Sequence, residues 1–437
     1  MADLLLEKGS SGRGPTGIRS PFDAVSYLTI FLVLTCAVPS YLTVPALGSV
    51  GRPTTLWGLA GLLWWALYRA GRDSPVTNGS KGVRIALLAL VGCVLVSYSL
   101  ANFQSLPPAE SSLADSGLIR MAGWAGVALV ANDGIDSRER LKTLLERVAW
   151  TGGLMATLGL AQFVTGESLI DWMSLPGFVG DPDISSVQNR GGFVRSAGTA
   201  THPLEYGVVL CIALPISIAL ALTNQGRSAF VRWFPVGAIA FASYISVSRS
   251  ALIGFAIGVL GSALGWPRRV RRRAVMVLAG GMIVAYFGVP GMAGTIRGLF
   301  LDAGTDSSTM SRTNSYELAF GIASRNPLFG RGFMTFLPEY VILDNQFLGI
   351  LIELGWLGLA ATLALLIVSI WVAATSGIRS SSPADKQIGI GVAVALASGA
   401  TMLAFFDGLG FPMSAGMLFL TIGLAGAAGS VSRPSWA

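Results

Sequence analysis

The sequence predicts an all-α, polytopic integral membrane protein of about twelve transmembrane helices, with a large extracytoplasmic loop that carries short helices. Three observations predict it. The 437-residue chain is 52% hydrophobic and only 12% charged, roughly half the charged share of a soluble domain. Its mean hydropathy is +0.64. Several apolar runs reach the length of about 20 residues that a helix needs to cross a hydrocarbon core. These runs are continuous and do not alternate, which argues against a β-barrel.

The elements follow in chain order. Residues 1–23 are polar, lack a cleavable signal pattern, and read as a cytoplasmic tail. Residues 24–290 hold nine spans, at about 24–46, 54–70, 84–103, 117–132, 148–165, 204–222, 231–247, 250–266 and 273–290, with an outer loop at 167–203. Residues 291–343 form the large outer loop. Residues 344–430 hold three more spans, at about 345–374, 387–405 and 411–430, and residues 431–437 form a second cytoplasmic tail. The tenth run is too long for one simple crossing, which calls for tilt or an extension beyond the bilayer. The 55 glycines suit close packing through small helix faces, and they suit broken helices equally well.

Composition also excludes classes of function. Cys36, Cys93 and Cys211 each stand alone in an apolar run, so neither a disulfide framework nor a zinc site is supported. The formal net charge is +7, but the basic residues fall mainly in short loops between spans. That is the pattern of membrane topology, and no nucleic-acid partner is expected.

Orientation follows from the same residues. With the N-terminus inside, all but nine of the 30 Lys and Arg fall on the cytoplasmic side, every lysine among them, as the positive-inside rule requires. Both termini are then cytoplasmic, and the protein sits in the plasma membrane. The nine outer residues are all arginines: Arg52, Arg120, Arg190, Arg195, Arg249, Arg297, Arg312, Arg325 and Arg331. Seven of them gather in the 167–203 loop, at the Ser248-Arg249 tip and in the 291–343 loop. An arginine-rich outer face runs against the charge rule, and an anionic substrate there supplies a reason. The planar guanidinium grips phosphate in two places.

Four segments carry this chemistry. Residues 195–204 read RSAGTATHPL, suited to a turn leading into the sixth span. His202, the one histidine in the chain, is either a proton donor or acceptor near substrate or the cap of the following helix beside Pro203. Residues 246–251 read SVSRSA, where Arg249 lies near the membrane surface and requires a phosphate or a carboxylate. Residues 311–332 read SRTNSYELAFGIASRNPLFGRG. Ser311 can cap a helix that ends at Asn326-Pro327 and carries Arg312 in its first turn, a position that already favours anions. The same helix also fits an amphipathic element on the membrane surface. Residues 344–358, DNQFLGILIELGWLG, return the chain to the membrane.

In this order, the pieces R-x-x-G-T, S-x-S-R-x-A, R-x-x-x-Y…NPLFGRG and DNQFL…ELGWLG resemble the O-antigen ligase and polysaccharide polymerase superfamily of bacterial membrane proteins. The resemblance covers roughly residues 190 to 365. It implies a metal-independent glycosyltransferase of the C type, without a cofactor, acting at the outer face on a polyprenyl-pyrophosphate-linked glycan. The glycan would pass to a saccharide, lipid or protein acceptor in cell-envelope or exopolysaccharide assembly. The resemblance implies that Arg195, Arg249 and Arg312 hold the pyrophosphate, and Arg331 of NPLFGRG is placed with them. Ligases of this kind usually have a histidine where the large loop re-enters the membrane. Asp344 stands there instead, which favours the polymerase branch over the ligase branch. Asp344 and Arg312 are therefore the catalytic candidates, with Asp344 as the base or as the partner of Asn345 or an arginine; Glu339 and His202 are secondary candidates for moving a proton. The competing classes are a transporter of a small anion, which would place ionisable groups near the midplane, where the chain has few (Glu353 inside the tenth run, Asp407 near the outer end of the eleventh), and a non-catalytic scaffold of an envelope-synthesis complex.

Overall fold

A computed structural model describes residues 23–71, 79–103, 106–180, 187–190, 193–246, 248–266, 268–276, 280 and 307–431. Within them the chain folds as helices α1 (Ala24–Cys36), α2 (Pro53–Ala70), α3 (Lys81–Phe103), α4 (Pro108–Gly134), α5 (Arg138–Thr165), α6 (Pro203–Thr223), α7 (Ala229–Ile245), α8 (Arg249–Ala263), α9 (Ser307–Ala323), α10 (Gln346–Arg379), α11 (Pro383–Met402) and α12 (Pro412–Val431). Six of these (α3, α4, α5, α6, α10 and α12) are long and apolar enough to cross a membrane, and α1, α7 and α8 are shorter apolar helices. The all-α polytopic architecture is thus as predicted.

The helix starts are written in local chemistry. Asp23, Ser137, Ser228, Ser248, Asn345 and Ser382 each accept a hydrogen bond from a backbone N–H in the first turn of the helix they precede. Proline occupies the first helical position of α2, α4, α6 and α11, where its missing N–H leaves nothing unsatisfied.

Several boundaries depart from the expected ones. The first helix ends at Cys36, ten residues early, because Pro39 and Pro45 follow; a 3₁₀ turn at Pro45–Val50 then leads to α2. The loop helix starts at Ser307, four residues before Ser311. A two-stranded antiparallel hairpin, β1 (Val187–Arg190) and β2 (Phe193–Ser196), stands inside the 167–203 loop and pairs Gln188 with Arg195. Residues 268–276 are helical, while most of the expected 273–290 span, together with Arg297 and both tails, lies outside the described residues.

α6 and α12 form the centre. Nearly all of their side chains are buried, whereas α3 and α10 turn much of their apolar surface outward, as lipid-facing helices do. α2 lies against α4 with almost no side chain between them: a Cβ built on Gly58 would stand 2.6 Å from the Gly123 carbonyl oxygen. Small residues that allow backbones to meet are a membrane-packing device.

Alternation of the helices gathers the loops at two ends. At one end lie Asp23, the 134–138 and 379–383 turns and Val431. There Arg140 pairs with Asp23, and Arg138 pairs with Asp385 at 2.7 Å while donating to the Val431 carbonyl. At the other end lie residues 37–52, 166–180, 187–190, 193–202, 324–345 and 403–411. Thr43 bridges to Val179, and Ser40 to Thr201. Arg52, Arg195, Arg249, Arg325 and Arg331 belong to this second end.

Candidate active site

The second end is organised around a break in α10. Gly355 adopts φ 66° and ψ −168°, so the 34-residue helix is two helices joined at that point. A break leaves carbonyls and amides without intrahelical partners, which is costly inside a membrane. The NPLFGRG segment satisfies them. Trp356 N–H donates to the Pro327 carbonyl at 2.8 Å and Leu357 N–H to that of Leu328 at 3.2 Å. On the other side of the break, Arg331 and Gly332 N–H groups donate to the Ile352 and Glu353 carbonyls at 3.1 and 3.0 Å. The segment approaches so closely that a Cβ on Gly330 would lie 2.2 Å from the Glu353 carbonyl carbon, and one on Gly355 would lie 2.5 Å from the Leu328 carbonyl. NPLFGRG and ELGWLG, far apart in sequence, are therefore one backbone joint, and its glycines are required by space as well as by φ.

This joint fixes the loop. The buried Glu353 side chain accepts from Phe336 N–H at 3.2 Å. Arg331 forms a salt bridge with Glu110, which is buried at the start of α4, and lies over the Tyr340 ring at 5.8 Å. Tyr340 donates its hydroxyl to Glu110 at 2.6 Å. Arg331 is thus tied to a protein carboxylate.

The joint leads directly to Asp344-Asn345. Asp344 is half-buried with φ 48°, and Asn345 caps α10 by accepting from Phe347 N–H. Asn345 also donates to the Tyr316 hydroxyl of α9 at 3.3 Å. Position 312 lies one turn before Tyr316, and residues four apart share a helix face. The α9 backbone therefore carries Arg312 on the face that meets the start of α10; its side chain lies outside the described residues. Glu339 is exposed on the loop.

Arg195 on β2 is buried, and Arg249 is half-buried at the first position of α8, where Ser248 caps. His202 caps α6: its Nδ1 accepts from Leu204 N–H at 3.1 Å, which puts the neutral ring's proton on Nε2. Burial, and secondarily the charge of Arg195, pushes His202 down to about 4, so it is neutral near pH 7. The structure thus realises the capping geometry at His202 and places Arg195 within electrostatic range of it.

A second group of charges, absent from the sequence motifs, lies at the same end. Glu205, fully buried in the first turn of α6, accepts from Met413 N–H at 2.7 Å, Thr201 N–H at 2.9 Å and the Ser40 hydroxyl at 3.1 Å. Arg52 lies in electrostatic range of Glu205, and Arg120 in range of both Arg52 and Asp407. Asp407 is exposed in the 403–411 turn, and desolvation by the protein around it lifts its carboxyl to about 6. Gln346, which anchors Leu409 N–H at 2.6 Å, also hydrogen-bonds Asp407. Arg52, Arg120 and Asp407 carry no motif of their own. The available signal was that the charge count sets Arg52 and Arg120 among the nine arginines expected on the outer side.

The fold and this end together define a polytopic helical membrane protein whose arginine-bearing loops are clamped onto a broken helix. Residues 234–363 match the family described as O-antigen ligase. The matched stretch runs from α7 through α8 and α9 into α10, so it contains both halves of the joint, Arg249, Arg312 and Asp344. The match, over less than a third of the chain, makes this segment similar to the O-antigen ligase family. No curated protein matches the chain.

Proposed function

We propose that the protein transfers a glycan from a polyprenyl-pyrophosphate donor to a saccharide, lipid or protein acceptor at the outer face of the plasma membrane, with polymerisation favoured over ligation. The observation that carries this reading is that the O-antigen ligase match coincides with the segment that brings α9 and Asp344-Asn345 together.

In this reaction the acceptor hydroxyl attacks the anomeric carbon, the bond from that carbon to the pyrophosphate oxygen breaks, and the lipid pyrophosphate leaves with the bonding pair. Asp344 takes the hydroxyl proton. Arg312, with Arg195 and Arg249, faces the charge that grows on the leaving group, and stabilisation of that charge is gained mainly in the transition state. Arg331, held by Glu110, positions the loop.

A transporter is the second reading, because α10 is broken beside the buried Glu353, as transporter helices are at their binding sites. Backbone of residues 327–332 fills this break, which favours the enzyme. Supplying purified protein in lipid with labelled polyprenyl-pyrophosphate oligosaccharide separates the two: release of polyprenyl pyrophosphate supports transfer, and intact donor with every native acceptor supplied overturns it.

A further inference from the structure

We propose that Arg268, Arg269, Arg271, Arg272 and Arg273 form a docking surface for anionic phospholipid headgroups, in the leaflet opposite the candidate active site.

α8 starts at Arg249, at the end that bears the site, and runs away from it. Just past its last residue, the Gly265 carbonyl accepts from Gln387 Nε2 at 2.7 Å. Gln387 lies near the start of α11, beside the 379–383 turn. The five arginines that follow Trp266 therefore belong to the end that holds Asp23 and Val431, away from Asp344.

Flanking apolar residues hold this segment at the membrane surface. Leu260 and Leu264, just before the arginines, are 69% and 84% exposed, and Val275 and Met276, just after them, are 61% and 64% exposed. In a membrane protein such apolar surface meets lipid. Residues 268–276 are helical, so at about 1.5 Å per residue even Arg268 stands only about 10 Å along the axis from Val275. Arginine's long side chain spans the remaining distance to the headgroup layer. Val270 and Ala274, one turn apart, pack on the core, and Trp266 is buried. All five arginines are left exposed.

The protein offers these cations no counter-charge. No Asp or Glu stands between Glu205 and Asp302 in the sequence. Asp385, two residues before Gln387, pairs with Arg138 at 2.7 Å. Among the described residues none of the five forms a salt bridge. Their one hydrogen bond runs from Arg271 Nη2 to the Ala263 carbonyl at 3.2 Å, which ties the segment to the end of α8. Membrane topology asks only for positive charge on one side, as lysine or arginine. Five planar forks within six positions, level with the headgroups, suit phosphate oxygens in particular. Each basic residue near an anionic leaflet is worth about fivefold in affinity.

The test is native mass spectrometry of the full chain in neutral detergent, titrated with phosphatidylglycerol and, separately, with phosphatidylcholine, at low and raised salt. Four variants are compared with wild type: all five arginines to Gln, all five to Lys, the pair Arg268→Gln with Arg269→Gln, and, as control, Arg379→Gln with Lys386→Gln. Wild type should prefer phosphatidylglycerol at least about tenfold, and the preference should shrink as salt screens the charges. The five-Gln variant should lose the preference, the five-Lys variant should keep most of it, and the control should match wild type. The pair should lose part of it, and it keeps the test decisive should the five-Gln protein fail to insert. Equal affinity for the two lipids in wild type, an unchanged preference in the pair, or the same loss in the control overturns the proposal. A short oligonucleotide is titrated in parallel: if wild type binds it through these arginines and shows no lipid preference, the surface serves a soluble polyanion and the lipid proposal falls. None of these readouts involves glycan transfer, so the two readings stand or fall separately.

Discussion

Gly355→Ala is the most informative single substitution, because it strikes the joint that sets the geometry of the loop. The residue's φ of 66° and ψ of −168° lie in a region that is essentially glycine's alone, at a cost of about 1–3 kcal/mol for another residue. The new Cβ would also meet the Leu328 carbonyl at 2.5 Å and the Pro327 oxygen at 2.6 Å, and backbone atoms cannot swing aside as a flexible side chain can. The chain can relieve this only by lifting residues 327–328 off the break. That puts at risk the hydrogen bonds from Trp356 and Leu357, each worth about 0.5–1.5 kcal/mol net. Together these terms make a cost of about 2–6 kcal/mol, enough to reduce the clamped population by about 10²-fold or more at the middle of that range. Glycan-transfer rate and limited proteolysis of the 324–344 loop, both in lipid, read the outcome. Turnover should fall about 10²-fold while the loop becomes cleavable. Gly349→Ala is the control: it is helical, its nearest neighbour is 3.7 Å away, and it should be neutral or slightly stabilising. Wild-type turnover and an uncut loop in Gly355→Ala would refute the view that the joint positions the site.

Three further outcomes follow from the same geometry. Glu110→Gln leaves Arg331 without its carboxylate, so the loop should loosen by about 3–5 kcal/mol, read as loss of proteolytic protection; an unchanged pattern would make the pair decorative. Asp344→Asn should lower turnover by about 10²–10⁴-fold with donor affinity preserved if Asp344 is the base, whereas parallel loss of both would make its role structural. His202 is held down to about 4 in the fold against 6.5 in the free side chain. Its contribution to stability is therefore present above pH 6.5 and is lost as pH falls toward 4. Melting temperature measured from pH 7 to 4 should show this loss, and His202→Asn, which keeps a capping side chain, should flatten it.

Much of the architecture was readable because hydropathy and charge act locally. The run beginning at Asn345 was recognisably too long for one crossing, and the reason is the break at Gly355, a glycine in plain view within ELGWLG. What could not be read was its partner, since the bonds from residues 327–332 to the break run through backbone atoms that leave no mark on residue type. Arg331 illustrates the same limit. Its sequence neighbourhood suggested a phosphate ligand, but its partner Glu110 stands 221 positions away. His202 was legible to the extent that a histidine before proline is a sound helix start. The hairpin at 187–196 escaped notice because four-residue strands carry too little alternation to stand out in a polar loop. Arg52 and Arg120 were visible only as exceptions to the charge rule.

The most direct test of the central claim is Arg312→Lys assayed beside wild type with labelled polyprenyl-pyrophosphate oligosaccharide in lipid. The substitution keeps the charge and removes the bidentate fork. The account predicts that wild type releases polyprenyl pyrophosphate and lengthens lipid-linked glycan, and that the variant loses most of this turnover while remaining folded. Equal rates for the two proteins would remove Arg312 from the site, and donor left intact by wild type with every native acceptor present would contradict glycan transfer itself.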